Sequence, residues 1–147
     1  MKFPLVFVVV LLIIMALSCG KDKFKTKPQI EIKSINNDVI AKDQTLVVLL
    51  RFTDKEGDLA DGKFVYIPKR LNSRPLLPTV PNYDSVKLVI PKFPDETDGE
   101  FSLSLPWLNL HKSDTENDTI IMRFVVVDRA DNKSDTLSTD KLVILKN

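Results

Sequence analysis

The chain is poor in the residues that most often carry chemistry. Its 147 residues include one cysteine, one histidine and one tryptophan. A single Cys excludes an internal disulfide framework and any structural zinc site built on several thiolates. A single His excludes the multi-histidine catalytic metal centres. Charge of one sign is missing too: 21 Lys+Arg stand against 20 Asp+Glu. A nucleic-acid binder needs a basic surplus to release counterions, so that class is excluded. Only four glycines are present and none forms a phosphate-binding loop.

These shortages also argue against catalysis. His111 is the one base that a Ser or Cys nucleophile could use, and it sits in a polar stretch with no elbow motif around any serine. A glycosidase needs two carboxylates about 5–10 Å apart in a cleft, and a chain this short offers loops instead. The chain reads as a non-enzyme. What it does have is 44% hydrophobic residues with 8 Phe, enough for one folded domain and too few residues for two.

Lys2 precedes an unbroken apolar run from Leu5 to Leu17, followed by Ser18 and Cys19. A short positive start, an apolar stretch and small residues at its end make a secretory signal. The run is shorter than the roughly 20 residues a spanning helix needs. The placement of Cys19 resembles the lipobox of bacterial lipoproteins, in which the leader is cut before the Cys and the thiol takes a diacylglycerol, with palmitate among the acyl chains. The family's aliphatic residue three places before the Cys is Ala16 here. An uncleaved anchor helix, or a plain signal with a stray thiol, is the alternative. The organisation expected is therefore a signal peptide over 1–18, a lipidated Cys and tether over 19–27, and a folded domain over 28–147. Lys2 is the only charge in the leader, so basic and acidic residues balance in what remains. The tether, GKDKFKTK, is either a solvated spacer or a contact for anionic headgroups.

From Pro28 onward the hydrophobic period is two. Leu46, Val48, Leu50 and Phe52 alternate with Thr45, Val47, Leu49 and Arg51, and similar runs recur through Leu103 and Phe124. Strands are expected at 30–35, 45–53, 64–68, 86–90, 101–105, 119–127 and 137–145, separated by Asp, Asn, Pro, Gly and Ser clusters. Seven short strands and no long amphipathic helix predict an all-β antiparallel sandwich of immunoglobulin or fibronectin III type.

In such an up-and-down sandwich, three loops share one end. They carry eleven of the 20 acidic residues: Asp54, Glu56, Asp58 and Asp61, then Asp95, Glu96, Asp98 and Glu100, then Asp128, Asp131 and Asp135. This pole repels itself unless a cation or solvent relieves it. Ca²⁺ takes six to eight hard oxygens. Asp54-x-Glu56-x-Asp58, with Gly57 for a tight turn and Asp128 and Asp131 from the late loop, is the candidate Ca²⁺ set. It is not an EF-hand, since Leu59 falls where that loop needs Gly. The alternative is that Asp and Gly serve only as turn residues. A salt contact with the lysine-rich tether, which enters at the same pole, is another way to relieve the charge.

Two motifs carry a wider resemblance. One is Leu50-Arg51-Phe52-Thr53-Asp54-Lys55-Glu56-Gly57-Asp58-Leu59; the other runs from Phe124 through Asp128-Arg129-Ala130-Asp131-Asn132-Lys133-Ser134 to Thr136. With the lipobox they resemble small lipoproteins of Bacteroidota-type bacteria, which share an F-x-D-x-(D/E)-G-D-(L/I) turn and a late D-R-A-x-N-K-S strand end. Ala60 stands where that group has Gly, and Asp131 where it has a small or apolar residue. The resemblance implies a single Ig-like domain on a lipid anchor at the outer membrane, on its periplasmic or cell-surface face, as a monomer with no assigned activity. It also implies that Asp-(Ser/Thr)-apolar triplets serve as O-glycosylation acceptors, at Ser85, Thr119 and Thr136. The bland alternative is that polar turn residues simply precede strand starts.

At the far pole the 69–85 connection holds Arg70, Arg74, Leu76, Leu77, Val80 and Tyr83 among three prolines. A loop this long is either a binding surface for a protein or glycan, with Arg70, Arg74, Leu76, Leu77 and Tyr83 as contacts, or a cover for the open end of the core with Trp107. Two functions remain open: a lipid-anchored cell-envelope binding or accessory module, or a structural envelope lipoprotein with no ligand of its own.

Overall fold

The computed structural model describes residues 27–146. Cys19, the leader and most of the tether lie outside the described residues. The chain forms β1 (Gln29–Ile35), β2 (Val39–Ile40), β3 (Thr45–Thr53), β4 (Lys63–Arg70), β5 (Val86–Val89), β6 (Asp98–Pro106), a one-turn helix α1 (Trp107–Leu110), β7 (Asp118–Val127), β8 (Leu137–Ser138) and β9 (Leu142–Ile144). One sheet has the order β1-β3-β6. The other has the order β2-β9-β7-β4-β5, with β8 also on β7. The ladders are antiparallel except β2 on β9. This is the expected immunoglobulin/fibronectin III-like sandwich.

The two-residue period explains the core. Leu46, Val48, Leu50 and Phe52 of β3 face Ile120, Met122, Phe124 and Val126 of β7, and all eight are buried. Phe64 of β4 links the sheets. It stacks on Phe124 at 5.8 Å and meets Phe101 of β6 edge-on at 5.2 Å. Each large side chain so buried contributes about 1.5–3 kcal/mol, and aromatic pairs add about 0.5–1.5 kcal/mol.

Three differences from the sequence reading have local causes. The strand expected at 101–105 begins at Asp98, because Thr53, Phe52 and Arg51 pair with Asp98, Gly99 and Glu100. Asp98 and Glu100 therefore sit on a strand, not in the acidic loops. The last strand is split between β8 and β9 at Thr139, whose Oγ1 takes the Met122 N–H at 3.0 Å in place of a backbone carbonyl while its own N–H still donates to Met122 O. Ser134 does the same for Val126 N–H. β2 was too short to register as a period: two residues between Asn-Asp and Lys-Asp clusters, pairing parallel to β9.

Candidate functional site

The acidic pole is assembled by backbone bonds between three loops. Asp54 follows β3 directly, and its N–H donates to Thr97 O at 2.7 Å, which joins the loop before β6. The chain then turns through Gly57, whose φ of 68° is left-handed. Gly57 N–H closes onto Asp54 O at 3.2 Å, and Asp58 N–H onto Asp54 Oδ2 at 3.0 Å. Arg129 N–H donates to Asp58 O, which brings in the loop after β7. There Asp128 is buried and holds Asn132 twice, through its N–H at 2.8 Å and its side-chain amide at 2.9 Å.

Asp54, Asp58 and Asp128 thereby converge, each offering a carboxylate oxygen within 4.8 Å of the others. Burial, and next the Asp58 side chain, push the Asp54 carboxyl above its ordinary 3.8. Two of the five expected ligands stand apart. Glu56 is exposed on the outer side of the Gly57 turn. Asp131 is exposed, at φ 63°, with an oxygen 3.5 Å from Lys63 Nζ. At the rim, Arg129 pairs with Asp95 at 3.5 Å, and Lys27, the last tether residue, pairs with Asp135.

The far pole is organised around Arg70, which is not a free surface contact. Its side chain is 11% exposed and holds Glu116 at 2.8 Å, the fully buried Asp118, and the Arg74 carbonyl. Arg70 keeps the Glu116 carboxyl below its usual value. Tyr83 packs against the core and its hydroxyl donates to Leu110 O, while burial drives its own proton affinity up. Leu76 is half-buried, and Leu77 is 64% exposed. Arg74 is exposed. Of the five binding candidates, then, Arg70 and Tyr83 hold the loop down, and Leu77 and Arg74 face outward. Trp107 is buried, with its indole N–H on Leu145 O at 2.7 Å, and His111 stacks on it at 4.1 Å rather than standing on the surface. His111 Nε2 lies 3.4 Å from Asp114. Neither neighbour is a Ser or Cys.

Among the acceptor candidates, Ser85 and Thr136 are exposed outside strands, whereas Thr119 is half-buried within the β7 ladder. The partner residues missed from sequence are Asp118 and Asn132. Asp118 gave a signal only as a polar residue before a strand.

The outer faces of the two sheets differ. The three-stranded sheet presents Glu31, Arg51, Glu100, Ser102 and Ser104, with Val47 and Leu49 half-buried among them, opposite Ser104 and Ser102. The larger sheet presents Val65 opposite Val125, Ile67 opposite Arg123, and Ile121 opposite Lys69, with Lys87 and Val89 on the edge strand β5 and Lys63 of β4 opposite Val89. Ile67 is 39% and Val89 72% exposed.

No protein-family model matches the chain, and no curated protein matches it. Among solved structures it is similar to a family 76 glycoside hydrolase from a bovine Bacteroides thetaiotaomicron strain, at 10% identity and TM-score 0.39, over 81% of this chain and 20% of that one. It is also similar to the PmoD soluble domain from Methylocystis sp. (Rockwell), at 16% identity and TM-score 0.34, over 79% and 89%. A third is β-glucosidase 3B from Thermotoga neapolitana, at 14% identity and TM-score 0.35, over 82% and 17%. The chain thus spans about a fifth of the two hydrolases.

Proposed function

We propose that this chain is a non-enzymatic, lipid-anchored cell-envelope module that binds a protein partner, held at the outer membrane through acyl chains on Cys19. The anchor rests on the leader and the position of the only cysteine. The observation that favours binding over a purely structural role is the outer face of the larger sheet. An antiparallel sheet with one solvated side normally alternates apolar-in and polar-out. Here Val65, Ile67, Ile121, Val125 and Val89 break that alternation, among Lys63, Lys69, Lys87 and Arg123. An apolar strip with a cationic border suits a protein surface with an apolar centre and acidic rim. The structural reading draws its support from the far loop, where Tyr83 and Arg70 act as a cover.

Two measurements separate these readings. Cys19→Ala should move the protein from the membrane fraction to the soluble fraction; retention in the membrane would refute the anchor. A photo-crosslinking residue at Ile67 should give one discrete adduct in cells, lost when Val65→Asp is added. Absence of any adduct from Ile67 and Val125 would leave the structural reading.

A further inference from the structure

We infer that Asp54, Asp58 and Asp128 form a divalent-cation site that takes Ca²⁺. This concerns the folded domain alone and stands whether or not the anchor and partner do. Three carboxylates close together are a cost to the fold, and acidic clusters on loops commonly rely on water to relieve it. Water does not reach the critical atoms here. Asp54 is 1% exposed, and its Oδ1 is buried without a hydrogen-bond partner. Asp58 Oδ1 is in the same condition. Among the described residues only three side-chain polar atoms are buried and unpartnered, and two of them belong to this group. Asp58 N–H is spent on Asp54 Oδ2, and the Asn132 N–H and side-chain amide on the two oxygens of Asp128. A buried carboxylate oxygen left without a donor is costly, and a cation among the three carboxylates removes that cost.

The donor chemistry selects the ion. All three side chains offer hard oxygen, and none offers nitrogen or sulfur, which excludes a zinc-type site. Two oxygens bound to one Ca²⁺ at 2.3–2.6 Å can stand no more than about 5 Å apart, and the three lie within 4.8 Å. Backbone carbonyls and water would complete the shell, as is usual for Ca²⁺. Three cations at this pole are committed to other acids: Arg129 to Asp95, Lys63 to Asp131, Lys27 to Asp135. The two loops that supply the carboxylates are already joined through Arg129 N–H and Asp58 O, so an ion would fasten a preformed pole.

The test uses the full chain in detergent and follows thermal unfolding through Trp107, its single tryptophan. In CaCl₂ at about a hundredfold excess over Kd, the melting temperature should rise by about 10 °C relative to EDTA. Asp58→Asn should lower the Ca²⁺ affinity at least tenfold. Asp54→Asn is the variant with an opposite sign. Its amide oxygen can still accept Asp58 N–H, so it should melt no lower than the wild type in EDTA while losing the Ca²⁺ response. Identical wild-type melts in CaCl₂ and EDTA, or an equal rise with MgCl₂, would overturn the inference. So would a full Ca²⁺ response in Asp54→Asn.

Discussion

Arg70, the last residue of β4, donates from Nε to the carboxylate of Asp118, the first residue of β7, and Asp118 is fully buried. The same carboxylate accepts Lys112 and Ser113 N–H, both at 3.0 Å. One buried acid therefore fastens β4, β7 and the loop after α1. Removing the guanidinium leaves a buried charge with backbone donors only. Arg70→Ala should destabilise the fold by about 3 kcal/mol or more, read as a lower urea midpoint. Arg74→Ala, exposed in the same loop, should change it by no more than about 0.5 kcal/mol. Equal effects would show that Asp118 does not depend on Arg70.

The strands were legible because buried residues on them obey a two-residue period that no side-chain detail disturbs, as from Leu46 to Phe52. Breaks in the ladder were not, because they fall at single hydroxyls: the last strand splits at Thr139, whose Oγ1 takes the Met122 N–H, and nothing in its neighbours announces that. The acidic pole was legible through connectivity, since alternating strand direction puts Asp54 and Asp128 at one end. Which acids converge was not. Spacing of two suggested Asp54, Glu56 and Asp58 on one side, but Gly57 at φ 68° turns the chain between them and leaves Glu56 outside. Asp131 is likewise carried away by its own left-handed backbone. At the far pole, sequence could not tell a buried arginine from an exposed one, because its partner Asp118 lies 48 residues away.

Gly62 is required by close approach. A Cβ there would meet Leu59 O at 2.7 Å and press on Val127 O, both backbone atoms that cannot swing aside. Its carbonyl also accepts Ile90 N–H at 2.9 Å. Gly62→Ala should cost about 2–3 kcal/mol and shift the thermal midpoint down accordingly. An unchanged midpoint would mean that the turn between β3 and β4 relaxes freely.

Exposure sorts the three acceptor triplets that the resemblance suggested. A glycan needs an open hydroxyl on a loop, which Ser85 and Thr136 have. Thr119 is half-buried, and its N–H and carbonyl bond Asn72 and Leu71. The expected intact mass of native protein exceeds polypeptide plus lipid, falls with Ser85→Ala or Thr136→Ala, and is unaffected in its excess by Thr119→Ala. A native mass equal to polypeptide plus lipid would end the idea.

The Asp54 carboxyl also sets a pH dependence whose sign can be checked without any cation. Burial raises its pKa above 3.8, and Asp58 raises it further. The folded chain therefore holds this proton more tightly than the unfolded chain. Its contribution to stability is complete below about pH 3.8 and is lost as pH rises through the raised folded value. Glu116 works in the opposite sense: Arg70 lowers its pKa below 4.5, so its contribution is present above that pH and is lost on acidification through the lowered value. Total stability mixes both. The difference between wild type and Asp54→Asn isolates the one carboxyl. In EDTA the variant should be the more stable of the two near pH 7, and the gap should close as pH falls towards about 4. In CaCl₂ the order near pH 7 should reverse, because the ion takes the place that the proton holds in acid. A gap in EDTA that is constant with pH would show that Asp54 carries the same proton affinity folded and unfolded.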